Sequence, residues 1–292
     1  MKQEPLPEQF FRTCKRWPLL RELEDIPTRQ REIEICRKDM SGLVQRLLDS
    51  EKSTEDAETW FALGHAASTG WGMDRNLEKA VIWFRQAANA GHIQAMVRLA
   101  NLLERSEDKS IQAEAVSWYR RATEKGSISG MISMGFSYRE GSGVDASAES
   151  AASWFEKAAL AGDSNAWIYA GRVHIRQLNQ PDEALKCFLH AMQAGNYESH
   201  LELACLYAER HSPLYNPKEA LPWYEKVANR KCGSQPRAMI ALAKFYHNGE
   251  GTPQDTVMAR LWLLRACEIT PKNSNWHREA TALLKAMQEE ML

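Results

Sequence analysis

The sequence lacks several features that would place it in a familiar functional class. Its 292 residues contain no apolar run approaching 18 residues, so no membrane-spanning helix is predicted. The 37 lysines and arginines are balanced by 38 acidic residues, so we expect no general attraction to nucleic acid or to anionic lipid. The first residues carry acids and prolines but no apolar segment of a secretory signal, which favours a cytoplasmic protein.

Motifs of catalytic and metal sites are missing as well. The sequence has no Gly-x-x-x-x-Gly-Lys-Ser/Thr phosphate loop, no His-Glu-x-x-His pair and no Gly-x-Ser-x-Gly elbow. Its eight histidines do not stand at ligand spacing from cysteine or carboxylate, and its six cysteines are scattered, which favours buried, reduced thiols. We therefore predict a chain that is not an enzyme and has no metal and no cofactor.

The sequence does contain one segment that recurs six times. Each copy has an anchor residue, and the anchors are Trp83, Trp118, Trp154, Cys187, Trp223 and Trp262. Successive anchors are separated by 35, 36, 33, 36 and 39 residues. An alanine stands three residues before every anchor, and an alanine or a valine stands four residues after it. Because these three positions share one face of a helix, each copy contains a helix B that packs closely through small residues.

A second helix, helix A, precedes helix B in every copy. Its signature is a small residue, usually after a larger apolar one, that lies 16 to 19 residues before the anchor. In four copies a glycine stands eight residues after the anchor, where helix B would end in a left-handed cap. The sequence thus predicts six helical hairpins, repeats 1 to 6, at 55–91, 93–126, 128–162, 164–195, 197–233 and 235–270.

The segments outside the repeats also have helical patterns. Residues 1–54 contain the apolar Phe10, Phe11, Trp17, Leu20 and Leu23, followed by an amphipathic stretch, and residues 271–292 repeat the amphipathic pattern. Since a stack of repeats needs its end faces covered, we predict an N-terminal helical cap and a C-terminal capping helix. A partner-binding arm is the alternative for residues 1–54.

The repeats resemble a known family. Leu63-Gly64, the loops Gly70-Trp-Gly72, Gly141-Ser-Gly143 and Gly249-Glu-Gly251, and the alanine, tryptophan and glycine positions of helix B are similar to the Sel-one-like repeat, a relative of the tetratricopeptide repeat. The resemblance covers about residues 55–270, although repeats 2, 4 and 5 lack the Gly-x-Gly loop. It implies an all-α fold, a right-handed α/α superhelix, with a concave groove lined by the A helices.

Members of this family imply a function in protein interaction. We therefore expect a non-catalytic scaffold or adaptor that binds a protein or peptide partner in the groove. One alternative is an immunity protein that neutralises a secreted toxin of the type VI lipase kind. A remote alternative is a hydrolase like the cysteine-rich relatives with proposed β-lactamase activity, whose regularly paired cysteines this sequence lacks.

Helical geometry selects the candidate partner-binding residues. Positions one and four after the small residue of helix A, and six before it, turn away from helix B. With the apolar Phe61 and the loop residue Trp71 added, the candidates are Glu58, Phe61, His65, Trp71, Asn101, Glu104, Phe136, Arg139, Arg172, Lys244 and His247. Their charges predict a groove that is acidic near its start and basic at its far end, although a solvated face of mixed charge is the simpler interpretation.

Overall fold

The computed structural model describes residues 4–19, 26–51 and 56–289, with side chains for 4–15, 34–36, 38–50 and 56–289. Over this part of the chain all regular structure is helical, in fifteen helices, and none of these helices is long and apolar enough to cross a membrane. The chain divides into two compact units, unit 1 from Met1 to Ser147 and unit 2 from Ala148 to Leu292. The division falls between the two helices of repeat 3.

Unit 1 contains seven of the described helices. They are α1 (Leu6–Leu19), α2 (Ile26–Glu51), α3 (Ala57–Thr69), α4 (Leu77–Asn89), α5 (Ile93–Leu103), α6 (Lys109–Glu124) and α7 (Ile128–Glu140). Each helix packs on the next one in sequence, and α1 also packs on α3. The interior of α1 and α2 includes the buried Phe10, Cys14, Met40 and Leu47, whereas the side chains of Trp17, Leu20 and Leu23 lie outside the described residues.

Unit 2 continues the alternation. Its helices are α8 (Ala148–Leu160), α9 (Ser164–Arg176), α10 (Pro181–Gln193), α11 (Glu198–Ala208), α12 (Pro217–Ala228), α13 (Gln235–Asn248), α14 (Thr256–Ile269) and α15 (Asn275–Glu289). Consecutive helices pack on one another, and α15 packs on both α13 and α14. Consecutive helix packing of this kind is that of an α-solenoid, which confirms the predicted fold class.

Small residues occupy the interior of the repeats, as the sequence pattern predicts. The alanine three residues before each anchor is 0% exposed in all six repeats. Helix A approaches so closely that a β-carbon on Gly64 would lie 2.6 Å from the Phe84 ring, and one on Gly171 would lie 2.4 Å from the Phe188 ring. These rings follow the anchor by one residue and are buried more completely than Trp83 itself. The fully buried ring is therefore the neighbour of the predicted anchor.

The ends of the helices follow from local chemistry. The Asp56 and Asp163 side chains accept hydrogen bonds from backbone N–H groups in the first turns of α3 and α9. The second glycine of a Gly-x-Gly loop is subject to two constraints. Gly143 has φ of +70°, and a β-carbon there would lie 2.3 Å from the Gln112 carbonyl oxygen. A side chain at this position would collide with the backbone of α6, so the loop requires glycine.

Candidate partner-binding site

A hollow of about 800 Å³ opens in unit 1 beside α1, α3 and the start of α5. Its walls include six side chains that define what we call the aromatic hollow: Phe11, Phe61, His65, Trp71, His92 and Arg98. Three of these residues, Phe61, His65 and Trp71, were candidates from the sequence, and Glu58 lies at the same rim. The structure therefore gathers the candidates of repeat 1 into one place.

The floor of the aromatic hollow is a set of stacked rings. Phe61 is 5% exposed, and its ring centroid lies 4.2 Å from the His92 ring and 5.4 Å from the Phe11 ring. Phe11 comes from α1 and Phe61 from α3, so the N-terminal helices help to build the site. Aromatic contacts of this kind fix the rings in place, and the apolar surface that they leave open can receive an apolar side chain.

His65 is the polar group at the centre of these rings. Its ring lies 5.6 Å from both Phe11 and Trp71 and 6.1 Å from Phe10. Burial, assisted by the nearby Arg98 charge, lowers the pKa of His65 below its ordinary value, so the ring is neutral at pH 7. Its Nδ1 atom is buried and has no hydrogen-bond partner among the residues that the structure describes. Such a group carries unused hydrogen-bonding capacity.

Charged groups stand at the edge of the hollow. The His92 Nδ1 atom accepts a hydrogen bond of 3.1 Å from the Ala95 N–H, which leaves Nε2 to face the Glu58 carboxylate at 3.3 Å. The Arg98 guanidinium is exposed and pairs with no carboxylate in the described part of the chain. The edge therefore offers the Arg98 cation to a ligand, and Lys15 of α1 adds a second exposed cation.

Asn101 and Glu104, both predicted as groove residues, are bonded to side chains of the helices that follow α5. The Tyr119 hydroxyl of α6 lies 2.6 Å from Asn101 Oδ1 and 3.0 Å from Glu104 Oε2, and the Ser137 hydroxyl of α7 donates to Glu104 Oε1 at 3.1 Å. Burial of the phenol, followed by the Glu104 charge, raises the Tyr119 pKa, so this hydroxyl keeps its proton. These polar groups join α5, α6 and α7.

Phe136 and Arg139 lie together on α7. The Arg139 guanidinium carbon stands 4.7 Å from the centre of the Phe136 ring, and an Arg139 nitrogen lies 2.6 Å from the Glu140 carboxylate. The Arg139 guanidinium therefore covers the Phe136 ring. Both residues lie in unit 1 but do not line the aromatic hollow.

Arg172 and Lys244, two of the three candidates of unit 2, are paired with carboxylates of the same unit. Arg172 lines a second hollow of about 530 Å³, which we call the arginine hollow and define by Arg172, Arg176, Glu202, Cys205, His211 and Arg237. Arg172 donates to Glu202 through Nε at 3.2 Å and Nη2 at 2.6 Å, and to Glu198 at 2.6 Å. Lys244 pairs with Glu279 of α15 at 2.8 Å, and His247 is half-buried on α13.

Sequence reasoning missed three residues of the aromatic hollow. Phe11 precedes the repeats, so the rule for A helices did not reach it, although the adjacent pair Phe10-Phe11 was a visible signal. His92 is the N-cap of α5, and Arg98 stands two residues before the small Ala100, at a position that the rule did not select. Membership of the site thus depends on helix packing as well as on helical phase.

The prediction about cysteine and histidine also needs correction. All six cysteines are free, and Cys14, Cys36 and Cys187 are buried, but Cys232 is exposed. Histidine does meet cysteine and carboxylate in space, because α8, α9 and α10 bring Glu156, His174 and Cys187 together. Their spacing along the sequence gives no sign of this, since each residue comes from a different helix.

Comparison with known proteins places these features in a family. The model of the Sel1 repeat family matches residues 61–92, 93–127, 128–163, 198–232 and 236–269, more than half of the chain. Residues 164–195, predicted as repeat 4, are not matched, yet they hold the α9 and α10 hairpin. No curated protein matches the chain in sequence.

Solved structures share the fold. A Sel1 repeat protein from Oxalobacter formigenes is 25% identical with a TM-score of 0.58, and the match covers 82% of this chain and 94% of that one. A protective antigen of uropathogenic Escherichia coli strains, which displays an SLR fold, is 22% identical with a TM-score of 0.64; the match covers 86% of this chain, which spans about half (53%) of the antigen. An immunity protein from Pseudomonas aeruginosa is 20% identical, and the match covers 73% of this chain and 81% of that one. Its TM-score of 0.37 is too low for its role to be transferred to this chain. From the five matched repeats and the helical architecture, the chain belongs to the Sel1 repeat family, whose solenoids generally act as scaffolds for protein interaction.

Proposed function

We propose that this chain is a non-catalytic scaffold that binds a segment of a partner protein in the aromatic hollow. The observation that carries the proposal is the hollow itself, in which a ring-lined floor surrounds the neutral His65 and the Arg98 cation stands at the edge. A concave apolar site with a few convergent polar groups is the usual form of a ligand site. The scaffold role that is general in the family supports a protein as the ligand.

The chemistry of the hollow suggests which segment it binds. The rings of Phe11, Phe61 and Trp71 favour an aromatic or branched aliphatic side chain as the anchor. Arg98 favours a carboxylate next to that anchor, because guanidinium groups bind carboxylates through paired hydrogen bonds. We infer a short segment with one large apolar residue followed by an acidic residue.

Peptide selection on the intact chain tests this function without knowledge of the partner. A displayed library of random peptides would be enriched on the wild-type chain, without counter-selection against any variant. We expect the enriched peptides to share a large apolar residue followed by aspartate or glutamate. Fluorescence anisotropy should show that Trp71→Ala/Arg98→Glu binds them at least about tenfold more weakly, which corresponds to about 1.4 kcal/mol.

The matched control lies in unit 2. Arg176→Glu changes an exposed charge of the arginine hollow and leaves the aromatic hollow intact, so the affinity for the selected peptides should not change. Peptides that bind the Trp71→Ala/Arg98→Glu variant as tightly as the wild type, or that lose affinity only in Arg176→Glu, would contradict the proposed site. If the natural partner that carries such a segment is a secreted toxin, the immunity role expected from the sequence becomes the specific form of this function.

A further inference from the structure

Three potential metal ligands meet inside unit 2. Glu156 on α8, His174 on α9 and Cys187 on α10 each place one donor atom within 4.8 Å of the other two. His174 is 8% exposed and Cys187 is 4% exposed, so two of the three ligands are buried. The Nε2 atom of His174 lies 3.1 Å from Oε1 of Glu156. The cluster therefore offers sulfur, nitrogen and oxygen from three consecutive helices.

The second nitrogen of His174 is held as it is in metal-bound histidines. Its Nδ1 atom lies 2.9 Å from Oε1 of Gln180. Because an amide oxygen can only accept, Nδ1 donates in this pair, and Nε2 is the ring nitrogen that faces the Glu156 carboxylate. Histidine ligands commonly donate their other N–H to an oxygen in this way.

Comparison between repeats provides an independent observation. In repeats 5 and 6 the positions that correspond to Glu156, His174 and Cys187 hold Glu225, Tyr246 and Trp262. There the Tyr246 hydroxyl donates to Glu225 Oε1 at 3.2 Å, and Trp262 is buried at 6% exposure. The cluster keeps the glutamate but has histidine in place of the tyrosine and cysteine in place of the tryptophan. Cys187 is also the one anchor of the six that is not tryptophan.

We propose that Glu156, His174 and Cys187 bind one zinc ion that links α8, α9 and α10. Thiolate, imidazole and carboxylate are the ligands that zinc takes in tetrahedral sites, and water would complete the fourth position. The charges of one thiolate and one carboxylate balance Zn²⁺, so the bound site is neutral, as a buried site requires. Zinc–ligand bonds of about 2.0–2.3 Å bring donor atoms to within about 3.3–3.8 Å of one another, so small side-chain rotations close the cluster on the ion.

The proposed ion has a clear structural role. Repeat 4 lacks the anchor tryptophan that repeats 1, 2 and 6 bury, and the family model does not match it. Zinc binds the thiolate form of cysteine, so it would displace the proton of the Cys187 thiol and add coordination bonds between α8, α9 and α10.

Cobalt(II) provides a spectroscopic test on the full-length chain. The parent protein would carry Cys232→Ser, which removes the exposed thiol that could bind metal on its own. We expect one equivalent of cobalt to give a near-ultraviolet thiolate-to-cobalt absorption band and the intense visible bands of a tetrahedral ion, and one equivalent of zinc to abolish both. Gln180→Ala, which removes the partner of Nδ1, should weaken the metal affinity about 10- to 100-fold.

A variant that copies repeat 6 is the matched control. His174→Tyr/Cys187→Trp places in repeat 4 the residues that pack in repeat 6, so it should retain the helical circular dichroism and lose the cobalt bands. Zinc should raise the thermal unfolding midpoint of the parent and leave that of the variant unchanged. Absence of the thiolate band at stoichiometric cobalt in the parent, or its persistence in Cys187→Ser or in the repeat 6 copy, would overturn the proposal.

Discussion

The aromatic hollow of unit 1 and the arginine hollow of unit 2 involve corresponding A helices but differ in how their polar groups are satisfied. In the arginine hollow, Arg172 is already bonded to Glu198 and Glu202. In the aromatic hollow, the Nδ1 atom of His65 has no hydrogen-bond partner among the described residues, and Arg98 forms no ion pair with a described carboxylate. A buried polar group without a partner costs about 1–3 kcal/mol. A site whose polar groups are already satisfied gains less from a ligand, so the two hollows should respond differently to the same kinds of change.

Overpacking of the hairpins should give the largest effects and separate the two units. Gly171→Ala in unit 2 places a β-carbon 2.4 Å from the buried Phe188 ring, and Gly64→Ala in unit 1 places one 2.6 Å from the buried Phe84 ring. Each should lower the free energy of unfolding by about 1–3 kcal/mol, because the ring must leave its rotamer. Urea unfolding measures this loss, and peptide binding to the aromatic hollow should weaken only in Gly64→Ala. Equal loss of binding in both variants would show that the units do not act separately.

Removal of carboxylates should show which hollow is internally paired. Glu202 is 8% exposed and holds Arg172, so Glu202→Ala leaves a half-buried guanidinium with one partner fewer and should cost about 1–3 kcal/mol. Glu58 is exposed, and its contact with His92 resembles an ordinary surface pair, so Glu58→Ala should cost less than about 1 kcal/mol. Chemical denaturation of both variants tests the contrast, which fails if Glu58→Ala is the more damaging change.

Acidification should lower the stability of the folded chain through the protonation of His65. Burial lowers the folded-state pKa of this residue below the ordinary value of 6.5, so the unfolded chain binds the proton at a higher pH than the folded chain does. Stability is therefore fully present above pH 6.5, falls as the pH drops from there toward the folded-state pKa, and levels off below it. The slope cannot exceed about 1.4 kcal/mol per pH unit for one proton.

The control for the pH prediction is a ring of similar shape that does not titrate. His65→Phe should reduce the loss of stability between about pH 7.5 and about pH 5.5, as measured by urea unfolding at each pH. The burial-lowered pKa of His200 in unit 2 remains in that variant and accounts for part of the residual slope. An identical pH profile for His65→Phe and the wild type would contradict the assignment of the dependence to His65.

The fold could be predicted because its determinants recur. Ala80 and its counterparts, which the sequence pattern placed on the packed face of helix B, are buried in all six repeats. A feature repeated at a constant spacing can be checked against its own copies. The loops were predictable for the same reason, although the contact between Gly143 and the backbone of α6 becomes visible only when the helices are packed.

The site could be predicted only in part, because it depends on features that do not recur. The helical phase of the A helices selected His65 and Glu58, which line the same hollow. The same rule also selected Glu104, whose hydrogen-bond partner Tyr119 comes from the following helix B. Whether a polar side chain faces a ligand or another helix is decided by that partner, which is specific to each repeat. The cluster of Glu156, His174 and Cys187 was missed for the same reason, since its members are separated by more than ten residues along the chain.

The smallest expected effect concerns Phe136, which the sequence pattern included among the candidates for partner binding. In the structure its ring is covered by Arg139 at 4.7 Å and stands outside the aromatic hollow. Phe136→Ala should therefore cost about 0.5–1 kcal/mol of stability, the size of an exposed cation–π contact, and leave the affinity for hollow-binding peptides unchanged. Tyr197→Ala is the counterpart in unit 2, because Arg230 lies 3.3 Å from that ring, and it should behave alike in both assays. Loss of peptide binding in Phe136→Ala alone would extend the binding surface from the aromatic hollow onto α7.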